Sequence, residues 1–132
     1  MLASLGTLDR RVDRDMRRLL PRDLEGLRAS HGRLLDLIDP EGSRPSALAE
    51  GAWISKQAIG RRIRELEERG LVTVTEDPTD GRAVVVQRTT AGDHVRRGAT
   101  GAIAAMEREW REAVGGDRYA TFRAVLAELG GG

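Results

Sequence analysis

Between Ser55 and Arg64 the chain carries four cations, Lys56, Arg61, Arg62 and Arg64, and no acid. At helical spacing Lys56, Gln57, Gly60, Arg61 and Arg64 form an outward front, while Ile59, Ile63 and Leu66 recur at i, i+4 and i+7 on the inner face. Ser55 has the right hydroxyl to accept an unpaired first-turn N–H, so it is expected to cap this helix. Ser55, Lys56 and Gln57 then occupy the end that meets base edges when such a helix lies in a major groove, where glutamine pairs with adenine and lysine reaches guanine acceptors. Gly60 would admit a sugar or a thymine methyl. Arg62 takes an inner-flank position and is expected half-buried or reaching outward to a phosphate. The competing reading is an ordinary solvated basic face. Net charge is only +1, so the local excess carries the argument, not the total.

A second constellation follows. Asp80 and Arg82 lie in the turn-forming run Glu76-Asp77-Pro78-Thr79-Asp80-Gly81-Arg82. Arginine there suits a narrow minor groove, with Asp80 expected to hold it by an ion pair; alternatively the aspartates cap the turn and Arg82 touches only phosphates. Arg88, Arg96 and Arg97 are further candidates for phosphate contact or for plain solvent-facing charge. Lys56 is the only lysine among the 22 Lys and Arg residues, and arginine is the cation best shaped for phosphates and guanine edges.

Periodicity supplies the elements that would position these groups. Leu5, Leu8, Val12, Met16, Leu19 and Leu20 make one helical stripe ending before Pro21. Leu24, Leu27, His31, Leu34, Leu35 and Ile38 make a second, broken by Asp39-Pro40-Glu41-Gly42. Pro45 opens a short helix holding Ala47, Leu48 and Ala52, so the basic helix is the second of a helix-turn-helix. After Gly70 the pattern turns strand-like through residues 71–75 and 83–87, a β-hairpin directly behind the basic helix. From Thr89 a stripe through Val95, Ala99, Met106 and Trp110 reaches Gly115-Gly116, and Tyr119, Phe122, Val125, Leu126 and Leu129 form a last apolar face.

In this order the chain resembles the multiple antibiotic resistance regulator (MarR) family. The resemblance rests on Ser46-Ala47-Leu48-Ala49-Glu50, Ile54-Ser55-Lys56-Gln57-Ala58-Ile59, Leu66-Glu67-Glu68-Arg69-Gly70-Leu71-Val72, Asp77-Pro78-Thr79-Asp80-Gly81-Arg82 and Thr89-Thr90-Ala91-Gly92, over roughly residues 20–112. It implies a mainly α fold with a small β-hairpin wing: a winged helix-turn-helix lobe (22–88) within a single domain (1–132), flanked by dimerisation helices (2–20 and 91–129). The implied function is a homodimeric regulator that binds a pseudo-palindromic operator in double-stranded DNA, usually a repressor released by a small aromatic or apolar-anion effector. Its DNA-binding residues would be Ser55, Lys56, Gln57, Gly60, Arg61, Arg62, Arg64, Asp80 and Arg82. An effector pocket between the lobes would draw on His31, Met106 and Trp110, although His31 and Trp110 also suit plain core roles. The chain departs from the pattern at Trp53, where a small residue is more usual, and in its rather short terminal helices.

Those terminal helices carry apolar stripes that a 22–88 lobe cannot cover. At about 25 cal/mol per Å² of apolar surface, exposure would forfeit several kcal/mol, which favours a twofold dimer over a self-contained monomer. With no cysteine, disulfides and thiolate chemistry are excluded. Two histidines without cysteine do not supply the usual N/S ligand set of a zinc site, and no nucleophile elbow, P-loop, dinucleotide fingerprint or His-Glu-x-x-His spacing is present. The sequence therefore predicts no enzyme, no cofactor and no metal. With no membrane span or signal-peptide pattern, a cytoplasmic location is expected. A winged helix that has lost DNA binding and serves as a protein-interaction module is the alternative.

Overall fold

The computed structural model describes residues 2–130; residues 1, 131 and 132 of the expected domain lie outside them. The elements run α1 (Leu2–Leu19), a 3-10 turn (Arg22–Leu24), α2 (Ala29–Leu37), α3 (Pro45–Ala52), α4 (Lys56–Glu68), β1 (Val72–Asp77), β2 (Asp80–Arg88), α5 (Thr90–Val114) and α6 (Gly116–Leu129). This is the mainly α fold with a two-stranded wing that the periodicity predicts. The second stripe is the exception: one helix over 24–38 is expected, but Glu25 is extended and Gly26 sits at φ +90°, so the chain breaks there and α2 starts afresh at Ala29.

Local chemistry explains the boundaries. Ser55 caps α4 by accepting the Ala58 N–H at 3.1 Å, and Thr89 caps α5 by accepting the Gly92 N–H at 3.0 Å. In the wing only Pro78 and Thr79 remain as turn, shorter than the run of turn formers suggests. The Asp77 carboxylate accepts both the Thr79 N–H at 2.8 Å and its hydroxyl at 2.7 Å, closing the chain in two residues. The antiparallel register runs from Val72↔Arg88 to Glu76↔Val84 and then jumps to Asp77↔Asp80, so Gly81, Arg82 and Ala83 bulge from the wing tip. Ser43 adds a bridge to Val86, joining the loop before α3 to the hairpin.

Two apolar clusters result. The larger joins α2, α3, α4 and the hairpin, with Leu35, Ile59, Leu66 and Val86 at its centre. The smaller joins α1 to α5 through Met16, Ala102 and Met106. Between them α2 crosses α5 so closely that a Cβ on Gly32 would lie 2.5 Å from the Ala99 Cβ. Arg88 locks the same junction: its guanidinium donates to Asp93 at 2.7 Å and to the carbonyls of Leu35 (2.8 Å) and Ile38, capping the carbonyl end of α2. Arg88 is therefore a structural clasp, where its charge suggests either a phosphate contact or a solvent-facing group. The terminal helices leave apolar side chains in solvent, Leu5, Val114, Val125, Leu126 and Leu129 among them.

Candidate nucleic-acid interface

Helix α4 is amphipathic in three dimensions as in sequence. Ile59, Ile63 and Leu66 are buried, while Ser55, Lys56, Gln57, Arg61, Arg62 and Arg64 are exposed and Gly60 is half-buried. Arg62 is thus exposed, which removes the half-buried alternative and leaves the outward-reaching one; Ile59, Ile63 and Leu66 already fill the inner face. A Cβ on Gly60 would meet nothing nearer than the Arg64 guanidinium at 3.8 Å, so the front is flat and open there. Among the described residues none of Lys56, Arg61, Arg62, Arg64 and Arg82 forms a salt bridge.

At the wing tip Asp80 and Arg82 are both exposed. Asp80 accepts the backbone N–H of Arg82 at 3.1 Å, not its guanidinium. The expected ion pair is replaced by an Asx-type turn, because the bulge at 81–83 aims the Asp80 carboxylate along the backbone and leaves the arginine side chain free. Arg44, just before α3, pairs with Asp77 at 2.7 Å and so fixes the wing to the helix-turn-helix. Hydrogen bonds from Thr79 and from Arg44 hold the Asp77 carboxyl down at about 2. Arg96 pairs with Asp36 at 3.1 Å, while Arg97 is exposed.

His31 is buried and ties α2 to α4. Its Nδ1 accepts the Arg28 N–H at 2.9 Å, which leaves the proton on Nε2 to be donated to Glu65 Oε1 at 3.0 Å. That hydrogen bond is the main reason the Glu65 carboxyl sits below its ordinary value, with Arg69 and Arg28 adding to it. His31 therefore positions the basic helix. Met106 lies in the α1–α5 cluster, and Trp110 is half-buried, with its N–H donated to the buried Asp15 at 2.9 Å. Among the described residues, neither of the two cavities near these groups is lined by His31, Met106 and Trp110 together. With α2 crossing α5 at Ala99, Trp110 stands about 16 Å farther along the helix at 1.5 Å per residue.

Two cavities lie near these groups. One of about 340 Å³ between α1, α5 and α6 is lined by Leu8, Arg11, Trp110, Arg118, Tyr119 and Phe122, among others. The other, about 1000 Å³, lies between α1, the 3-10 turn and the start of α2; Met16, Arg17, Arg18, Arg22 and Arg28 are on its wall. Sequence reasoning includes the capping role of Asp77 but misses its pairing with Arg44, the role of Glu65 and this arginine-lined space, since each of these depends on segments that meet only in the fold.

A family model described as MarR family matches residues 25–83. No curated protein matches the sequence. Among solved structures, a probable transcriptional regulator from Pseudomonas aeruginosa is similar at 21% identity and TM-score 0.84, over 98% of this chain and 96% of that one. A mutant MarR from E. coli complexed with operator DNA is similar at 21% identity and TM-score 0.82, over 96% and 91%. CouR from Rhodococcus jostii RHA1, bound to p-coumaroyl-CoA, is similar at 25% identity and TM-score 0.75, over 95% and 87%.

Proposed function

With residues 25–83 belonging to the MarR family and the whole chain carrying that family's winged-helix fold, we propose that this protein is a homodimeric transcription regulator, not an enzyme. It binds an inverted repeat in duplex DNA, acts as a repressor, and leaves its operator when a small molecule binds. The observation that carries this reading is the α4 front: a capped helix whose exposed cations have no acidic partner among the described residues, next to an exposed wing arginine. In this reading Ser55, Lys56 and Gln57 read base edges in the major groove. Gly60 permits close approach, and Arg61, Arg62 and Arg64 neutralise phosphates. Arg82 enters the minor groove from a tip shaped by Asp80. The mutant MarR of similar fold is complexed with operator DNA, which supports duplex binding as the role of this fold.

The exposed Leu5, Val114, Val125, Leu126 and Leu129 supply the dimer face. Light scattering at micromolar concentration should give twice the chain mass; a monomer mass would remove the twofold reading. Sequencing the duplexes that the purified protein selects from a random pool should return an inverted repeat with half-sites about one helical turn apart. Selection of no duplex would sink DNA binding altogether and leave the protein-interaction module.

The effector part of the proposal moves from the His31, Met106 and Trp110 set to the arginine-lined cavity between α1 and α2. It lies where the dimer helices meet the DNA-binding lobe, and its arginines suit an aromatic or largely apolar anion. Aromatic carboxylates that raise the melting temperature should also lower operator affinity. Stabilisation with unchanged operator binding would rule out a regulatory role for that cavity.

A further inference from the structure

Helices α3 and α4 end in the same hydrogen-bonded motif with opposite choices of residue. At the end of α4 the Gly70 N–H reaches the Glu67 carbonyl at 2.9 Å and the Leu71 N–H reaches the Leu66 carbonyl at 2.9 Å, with Gly70 at φ +74°. At the end of α3 the Trp53 N–H reaches the Glu50 carbonyl at 3.2 Å and the Ile54 N–H reaches the Ala49 carbonyl at 3.1 Å, with Trp53 at φ +57°. Both are Schellman closures, and both tuck the following apolar residue, Leu71 or Ile54, toward the main core. Glycine meets the left-handed requirement without strain, whereas tryptophan carries a Cβ that crowds the backbone there. Trp53 is the single non-glycine residue with positive φ among those described.

The fold gains nothing from the indole in return. Trp53 is 87% exposed, the most exposed of the large apolar side chains described. It therefore combines a backbone strain that glycine would relieve with an aromatic surface left in water. Its place gives the reason: it lies two residues before Ser55, the cap of the cationic helix, at the rim of the front formed by Lys56, Gln57, Arg61 and Arg64. A capped end directed at base edges puts the preceding turn against the sugar-phosphate wall of the groove. An indole suits that wall, with an apolar face for deoxyribose C–H groups and one N–H donor for a phosphate oxygen.

We propose that Trp53 is a DNA-backbone contact, packing its indole against the sugar-phosphate strand that flanks the groove entered by α4. This deepens, and rests on, the DNA-binding reading above. The contact holds the duplex without reading sequence, so it acts on operator and unrelated DNA alike.

The test uses the full chain labelled with 5-fluorotryptophan, whose two fluorine resonances are assigned by loss of one in Trp53→Gly. Operator duplex should shift and broaden the Trp53 resonance. Trp53→Gly and Trp53→Asn, which both tolerate the left-handed backbone, should keep or raise the melting temperature yet weaken both DNAs about tenfold. Trp53→Phe should retain most of the affinity. If the wild type binds duplex while the Trp53 resonance stays still and Trp53→Gly binds equally well, the assignment is overturned and the DNA-binding reading survives. If the wild type binds no duplex, both fall. A Trp53 resonance that moves with protein concentration alone assigns the indole to contact between copies and overturns the proposal.

Discussion

Helix α1 carries five arginines and α4 three; Arg11, Arg14 and Arg18 of α1 are exposed like those of α4 but differ from them in company. On α1, Arg11 lies 2.7 Å from the buried Asp15, with Arg14 at 3.7 Å and Arg18 at 3.5 Å, and Arg18 also reaches across to Glu109 on α5 at 3.1 Å. The Trp110 N–H completes the Asp15 shell at 2.9 Å. On α4 the cations face solvent, and none forms a salt bridge among the described residues. Arg11, Arg14 and Arg18 share their charge with acids of the same chain, and Arg18 joins α1 to α5. The α4 group leaves its charge unpaired at the surface, which is what the proposed contact with duplex DNA requires. Local pairing, not cation count, separates a structural arginine from a binding one.

The largest effect expected from breaking this contrast is on the paired side. Asp15→Ala leaves the half-buried Trp110 N–H without its acceptor and removes the acid that Arg11, Arg14 and Arg18 share, so denaturant unfolding at fixed protein concentration should show a loss of about 2–3 kcal/mol. The acid limb reports the same group. Burial raises the Asp15 carboxyl, but hydrogen bonds from Trp110 and Arg11 and the charges of Arg11 and Arg14 outweigh it and bring it from 3.8 down to about 2. A lowered folded value means the stabilisation is complete above about pH 4 and is lost as pH falls toward 2. Asp15→Asn should flatten stability over that window; an unchanged acid limb would show that Asp15 is not held as described.

On the unpaired side the effects move from stability to binding. Gln57→Ala should cost about 1–3 kcal/mol at the preferred operator and little at scrambled DNA. Equal losses on the two would mean that α4 does not read sequence through that residue. Smaller still, Arg82→Ala should weaken both DNAs and lower the salt slope of log affinity by about one phosphate equivalent. An unchanged slope would remove Arg82 from the contact. The smallest effect sharpens the comparison most: Arg64→Ala should change folding stability by no more than about 0.5 kcal/mol while still reducing DNA affinity. A larger destabilisation would mean that Arg64, like the arginines of α1, serves the fold.

The difference between the two groups also marks what could be read in advance. Helix α4, its Ser55 cap, its inner Ile59-Ile63-Leu66 face and its basic front are all set by neighbours within two turns, so spacing and residue type sufficed. The hairpin was legible for the same reason, apart from a turn tightened by Asp77 and a bulge that frees Arg82 from Asp80. Arg88 and His31 were ambiguous as sequence, since an arginine near a wing and a histidine on an apolar stripe each suit two roles.

By itself the sequence determined the element order, the winged helix-turn-helix and which face of α4 is basic and exposed, because these follow from short-range periodicity and capping. Only the tertiary structure decided which charges are spent internally. Asp15 meets Trp110 across 95 positions, His31 meets Glu65 across 34, and Arg44 meets Asp77 across 33. A side chain's partner depends on which helices cross and where. Here that crossing is set by the close approach of Gly32 to Ala99, a contact between distant segments that no local pattern encodes.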